Sequence, residues 1–61
     1  MLIASSATKE GIIKLIQEFY FTTEVELEED AFFFRVKLRG ETRCDVYVEK
    51  RGKRYRFEGK N

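Results

Sequence analysis

The sequence predicts an α+β fold, with one N-terminal helix packed on one face of a four-stranded antiparallel β-meander (αββββ). Two observations predict this class. Apolar residues recur at helical spacing between residues 9 and 20, and apolar and polar residues alternate through most of the chain after residue 23. Sixty-one residues without a proline, a repeat or a linker-like segment make one domain, which is expected to span residues 1–61.

The helix is predicted over residues 9–20. Its apolar positions follow the i, i+3, i+4, i+7 pattern of an amphipathic helix: Ile12, Ile13, Leu15, Ile16, Phe19 and Tyr20. Ser5, Ser6 and Thr8 offer an N-cap, and Glu10 lies where the helix dipole favours a negative charge. Residues 21–23 are of types that prefer strands, so they mark the end of the helix.

Four strands follow from the change to a two-residue period. Their inward-facing residues are Val25 and Leu27, then Phe32, Phe34, Val36 and Leu38, then Cys44, Val46 and Val48, and finally Tyr55 and Phe57. Turns at residues 29–30, 40–42 and 51–52 keep all four sets on one face of the sheet. Residues 1–4 are expected to form a loose tail or a short extra strand, and residues 59–61 a frayed end.

The three turns also predict which residues lie opposite each other. Six inward pairs follow: Val25 with Phe34, Leu27 with Phe32, Leu38 with Cys44, Val36 with Val46, Val48 with Tyr55 and Val46 with Phe57. Three outward pairs join opposite charges: Glu24 with Arg35, Lys37 with Asp45 and Glu49 with Arg54. The sheet edges are then the acidic strand 22–28 and the basic strand 53–57, so an edge-to-edge homodimer brings like charges together.

The residue types that the chain lacks argue against catalysis. There is no His to serve as the usual general base or zinc ligand, and the four glycines are scattered singly, so no phosphate-binding loop is present. Of the carboxylates of residues 24–30, the first three, on Glu24, Glu26 and Glu28, lie in line along a strand, which is typical of a solvated edge and not of a cation site. We expect a protein that is not an enzyme and that holds no cofactor and no metal.

The single cysteine, Cys44, is expected to be a buried structural thiol, because alternation places it on the inward face beside Val46. One unpaired thiol is more typical of a reducing compartment than of an oxidising one, so a cytoplasmic location is expected. No apolar run approaches the roughly 18 residues of a membrane span, which predicts no membrane partner.

The sharpest functional hypothesis concerns a basic hairpin. Net charge is only +1, but residues 1–33 carry two cations against seven anions, whereas residues 34–61 carry ten cations against four anions. Five of those ten flank Gly52: Lys50, Arg51, Lys53, Arg54 and Arg56. These five residues are the candidate nucleic-acid-binding set, acting through phosphate contacts. An acidic protein surface is the other partner they fit, and a merely solvated turn is the alternative without a partner.

A protein-interaction or regulatory module is the competing hypothesis. Phe33, Arg35 and Tyr47 lie on the predicted outward face, where they form a candidate interface with a protein partner or a second copy of the chain. Aromatic and basic residues on a sheet also suit base stacking, but the cations and anions of this face nearly balance. A plain solvated surface is the remaining alternative. If the protein forms a homodimer, this face is predicted to be its contact.

Overall fold

A computed structural model describes residues 2–31 and 33–59 of the chain. Its elements are β1 (Leu2–Ser6), α1 (Lys9–Tyr20), β2 (Val25–Glu29), β3 (Phe34–Leu38), β4 (Glu41–Arg51) and β5 (Arg54–Gly59). The strands form one sheet in the order β1-β5-β4-β3-β2, and all neighbours are antiparallel. The α+β class and the helix bounds agree with the prediction. The strand count does not, because the described residues form five strands and not four.

The added strand is β1, which the sequence left open between a tail and a short strand. Leu2 and Ala4 pack against the core, and the strand pairs along β5 from Leu2 opposite Gly59 to Ser6 opposite Tyr55. Gly59 is buried within this pairing and is not frayed. The predictions for residues 1, 60 and 61 lie outside the described residues. Since β1 and β2 lie at opposite edges and point the same way, α1 connects them by crossing one face of the sheet.

Both ends of α1 are closed by local contacts. The backbone N–H of Gly11 donates to Thr8 Oγ1 at 3.0 Å, so Thr8 is the N-cap. At the other end Phe21 adopts the left-handed conformation (φ 51°, ψ 45°), a position that usually carries Gly or Asn. Its side chain is 88% exposed. The helix therefore ends on a strained residue whose ring does little to stabilise the fold.

The core lies between α1 and the inner face of the sheet. Its buried residues are Ile12, Ile16, Val25, Val36, Leu38, Val46, Val48 and Phe57. These residues were expected to face inward, and Phe57 is the largest of them that is fully buried. Phe19 and Phe34, also predicted core members, are half-buried and pack against the cluster from its margins.

In the first and third hairpins, the observed register of the strands differs from the predicted register by an even number of residues. Val25 lies opposite Leu38, not Phe34, and Val48 lies opposite Phe57, not Tyr55. The predicted partner of Leu27, residue 32, lies outside the described residues. The third turn is Gly52-Lys53, because Gly at the first central position supplies the positive φ (59°) that a two-residue hairpin of this kind needs. An even shift keeps each side chain on its face, so the inward sets survive.

The second hairpin contains the largest departure from the prediction. Arg39 (φ 53°) and Gly40 (φ 83°) form a two-residue turn, where a loop at residues 40–42 was expected. Near this turn Val36 lies opposite Arg43, but the next residue back, Arg35, lies opposite Tyr47. Three residues of β4, numbers 44–46, therefore bulge out of the ladder with β3.

This bulge reverses the predicted orientation of two side chains. Cys44, expected in the core, is exposed. Arg43, expected on the outward face, instead reaches the Tyr20 ring at 5.6 Å and pairs with Asp45 at 2.8 Å. An odd shift of register near the turn explains both, because it exchanges the two faces of a strand until the bulge restores the original alternation.

The outward charge pairs and one sheet edge are also corrected. Arg35 lies opposite Glu28 of β2, Lys37 lies opposite Thr42 of β4 and not opposite Asp45, and Glu49 lies opposite Arg56 of β5. The sheet edges are β2, which is acidic as predicted, and β1, which carries no charged residue; the basic strand β5 lies inside the sheet. The objection to an edge-to-edge dimer therefore applies to only one of the two edges.

Candidate functional site

The end of the β4–β5 hairpin extends past the strands on either side of it. Val48 is the last residue of β4 with a partner in β3, and Tyr55 is the first residue of β5 with a partner in β1. The hairpin tip, defined here as residues 50–54, lies beyond both. At about 3.3 Å per residue, the three residues of β4 past Val48 carry the tip about 10 Å beyond the end of β3.

Four of the five candidate nucleic-acid-binding residues lie in this tip, and all four are exposed: Lys50, Arg51, Lys53 and Arg54. Strand alternation places Arg51 and Arg54 opposite each other on the outward side of the ribbon and Lys50 on the helix side, while Lys53 lies in the turn. The tip therefore presents positive charge on both of its faces and at its end.

The tip cations differ in how strongly they are already engaged. Arg51 pairs with Glu49, and the Arg54 guanidinium donates to Ser5 Oγ at 3.3 Å, which is a contact to a neutral group. Lys50 lies over the Tyr55 ring, 5.8 Å from its centre. Lys53 has no polar partner among the described residues. One carboxylate thus faces four cations, and the excess charge of the hairpin is available to a ligand.

Arg56, the fifth predicted residue, lies in a different environment. Its guanidinium pairs with Glu58 at 2.8 Å, and the Tyr47 hydroxyl donates to the same carboxylate oxygen at 2.9 Å. The Arg56 hydrogen bond, followed by that of Tyr47, lowers the pKa of Glu58, while the hydrogen bond to Glu58 raises the pKa of Tyr47. The charge of Arg56 is therefore largely matched within the protein.

An aromatic cluster beside the tip was not predicted from the sequence. The Phe34 and Tyr55 rings lie 6.0 Å apart, centre to centre, on the helix side of the sheet. The Lys9 ammonium lies 5.4 Å from the centre of the Phe34 ring, just as the Lys50 ammonium lies 5.8 Å from the centre of the Tyr55 ring. Lys9 thus joins the tip cations although it is 41 positions from Lys50 in the sequence. Only the strand order, which brings the helix N-terminus to this end of the sheet, reveals the contact.

Glu29 and Asp30 are two further acidic residues at this end of the sheet, in addition to the Glu49 that pairs with Arg51. They lie at the end of β2, two strands from β4, which is about 10 Å sideways at 4.8 Å per strand. Asp30 is already paired with Arg35 at 3.3 Å. The Debye length at physiological salt is about 8 Å, so these groups reduce the positive potential of the tip only in part.

The second predicted surface is a cleft on the outward face. The structure brings Phe33, Arg35 and Tyr47 together there, as expected, with the Phe33 and Tyr47 rings 6.4 Å apart in an edge-to-face arrangement. Cys44 also lines the cleft because of the bulge. The cleft has a volume of about 410 Å³. Phe33 is 39% exposed. The cleft therefore combines exposed aromatic surface with a guanidinium and a free thiol.

The described residues contain no group of three or more His, Cys, Asp or Glu side chains that is arranged to hold a metal ion. Within the same part of the chain, no helix has the length and apolar character needed to cross a membrane. Comparison of the chain with protein-family models, with curated proteins and with solved structures found no match.

Proposed function

We propose that this protein is a non-enzymatic module that binds nucleic acid through its phosphate backbone, with the hairpin tip as the contact. The observation that carries the proposal is the position of the tip, which projects about 10 Å past β3 and presents four cations against one carboxylate. Lys50, Lys53 and Arg54, none of them paired with a carboxylate, supply the phosphate contacts.

The binding mode expected from this chemistry is tolerant of base sequence. Lys and Arg contacts to phosphate displace condensed counterions, so affinity falls as salt rises and varies little between sequences. The Phe34 and Tyr55 rings add apolar surface next to the cations, which suits an unpaired base more than a closed duplex. Arg56 contributes less than the tip residues, because Glu58 already compensates its charge.

The test compares two variants that lose the same charge. Lys50→Ala with Lys53→Ala removes two tip cations, and Lys14→Ala with Arg39→Ala removes two exposed cations elsewhere. Binding to a fluorescent oligonucleotide is measured by anisotropy at several salt concentrations. The tip variant is expected to bind more weakly, with the salt slope smaller by about 0.7 per lost contact on single strands or about 0.9 on duplex DNA.

Circular dichroism of both variants serves as the folding control. Equal loss of affinity in the two variants would mean that net charge and not the tip determines binding. Absence of binding by the parent protein at low salt would overturn the proposal.

A protein-interaction module is the second candidate function, and the outward cleft favours it. An exposed Phe33 beside Tyr47, with the Arg35 guanidinium at the rim, is the composition of a small interface hot spot. Phe33→Asp is expected to abolish such an interaction without affecting the hairpin tip. An apolar interface also persists in high salt, whereas phosphate binding does not, so the two candidate functions separate in one salt titration.

A further inference from the structure

One edge of the sheet lacks the features that usually prevent strand pairing between molecules. Natural edge strands carry charges, prolines or bulges that block addition of another strand. Strand β2 has such protection from Glu26, Glu28 and Glu29, whereas β1 reads Leu-Ile-Ala-Ser-Ser and pairs with β5 without a bulge. Among the described strands β1 pairs only with β5, so its other side has no strand neighbour. Ile3 is also 54% exposed there.

The backbone groups that β1 offers at this edge follow from the pairing. The two residues that flank a two-residue hairpin turn, here Arg51 and Arg54, exchange both backbone hydrogen bonds. Alternation then directs the N–H and C=O groups of residues 55, 57 and 59 towards β1, where they meet Ser6, Ala4 and Leu2. The corresponding groups of Ile3 and Ser5 therefore face the open edge.

We propose that two copies of this chain pair through β1 across a two-fold axis at Ala4, which joins their sheets into one. In this antiparallel register Ile3 of each copy lies opposite Ser5 of the other, and the two pairs exchange four hydrogen bonds. If the register were shifted by one residue, the free N–H and C=O groups of Ile3 and Ser5 would no longer lie opposite free groups of the other copy. Shifting it by two would leave only one such pair within β1, Ile3 with Ile3 or Ser5 with Ser5. The register at Ala4 thus satisfies the edge best.

The side chains fit the same register. Ala4 meets its own copy in a non-hydrogen-bonded pair, where the Cα atoms approach to about 4.5 Å and a small side chain is favoured. The two Ile3 side chains are diagonal neighbours on the outward face, about 7–8 Å apart, so they shield each other from water. Across the joined sheet, Arg56 lies beside Ser5 of its own copy, Ser5 lies opposite Ile3 of the other copy, and that Ile3 lies beside Glu58. Arg56 of one copy is therefore in line with Glu58 of the other, and no like charges are brought together. A second copy therefore fits this edge better than an arbitrary peptide, and the inference is independent of nucleic-acid binding.

The first experiment is sedimentation equilibrium over about 10 µM to about 1 mM, a range suited to a small interface. The parent is expected to approach twice its 7.3 kDa monomer mass. Ile3→Lys places a charge on the edge and is expected to stay monomeric, while Thr23→Lys makes the same charge change at an exposed site elsewhere and is expected to dimerise like the parent. A parent that stays monomeric, or an Ile3→Lys variant that dimerises equally, would overturn the proposal.

The second experiment tests the register in a Cys44→Ser background. Ala4→Cys is expected to form an intermolecular disulfide under mild oxidation, because the paired Cα atoms, about 4.5 Å apart, lie within the usual disulfide range of about 4.4–6.8 Å. Ser5→Cys is the matched control, since its two copies are diagonal at about 7–8 Å and are expected to cross-link poorly. Preferential cross-linking of Ser5→Cys would refute the register even if the protein dimerises.

Discussion

Removing the ring of Phe57 is expected to bring this domain close to its unfolding limit. Phe57 is fully buried in β5, stacks on Phe19 at 5.9 Å and meets the Tyr20 ring edge-on at 6.2 Å. Truncating such a core aromatic to Ala costs about 3–5 kcal/mol, because the transfer free energy is lost and a cavity remains. At about 0.05–0.15 kcal/mol per residue, the whole domain has a stability of only about 3–9 kcal/mol.

Phe34→Ala is the informative comparison for Phe57→Ala. Phe34 is half-buried at the margin of the core with Lys9 over its ring, so its truncation is expected to cost about 2 kcal/mol, roughly half as much. Urea denaturation followed by circular dichroism measures both free energies of unfolding. A Phe57→Ala variant within about 1 kcal/mol of the parent, or one more stable than Phe34→Ala, would contradict the assigned core.

Three further predictions follow from individual residues. Gly59→Ala is expected to destabilise the fold by about 1–3 kcal/mol in the same urea assay, since an added Cβ would lie 2.7 Å from the Phe57 ring; an unchanged midpoint would mean that the ring shifts freely. Cys44 is expected to react with a thiol reagent in the native protein about as fast as in denaturant, and slow native labelling would show that the bulge is closed. The pKa of Glu58 is lower in the folded protein than in the unfolded chain, where it is about 4.3, so the ionised carboxylate stabilises the fold at pH values above about 4.3. This stabilisation is lost as the pH falls through the folded-state pKa. Glu58→Gln should therefore flatten the decline in the urea midpoint between about pH 6 and about pH 3, and parallel declines would contradict the assignment.

Short-range patterns in the sequence were sufficient for the helix and for most of the inward face. The stripe from Ile12 to Tyr20 predicted the observed bounds of α1, because helix formation depends on residues three and four apart. The same holds for the alternation that placed Val36, Val48 and Phe57 in the core, since it survives any even shift of register.

For the candidate site, the sequence located the cations of the hairpin tip but not their environments. It did not show that Glu58 engages Arg56, nor that Lys9 joins the tip beside Phe34. The Arg56–Glu58 contact joins two residues of β5 that lie two positions apart on one face, whereas the Lys9 contact depends on which elements are neighbours. Lys9 and Phe34 are brought together by the path of α1 across the sheet, which no local pattern encodes.

The sequence by itself thus determined the α+β class, the helix, the inward apolar sets and the position of the basic hairpin, because each depends on residues close together in the chain. Tertiary structure alone decided that β1 joins β5, that β4 bulges at residues 44–46 and that Cys44 faces outward. Pairing between distant strands and the positive φ angles of Arg39, Gly40 and Gly52 fix these features. A change of one residue in register exchanges the faces of a strand, so a small error in a turn moves a side chain from the core to the surface.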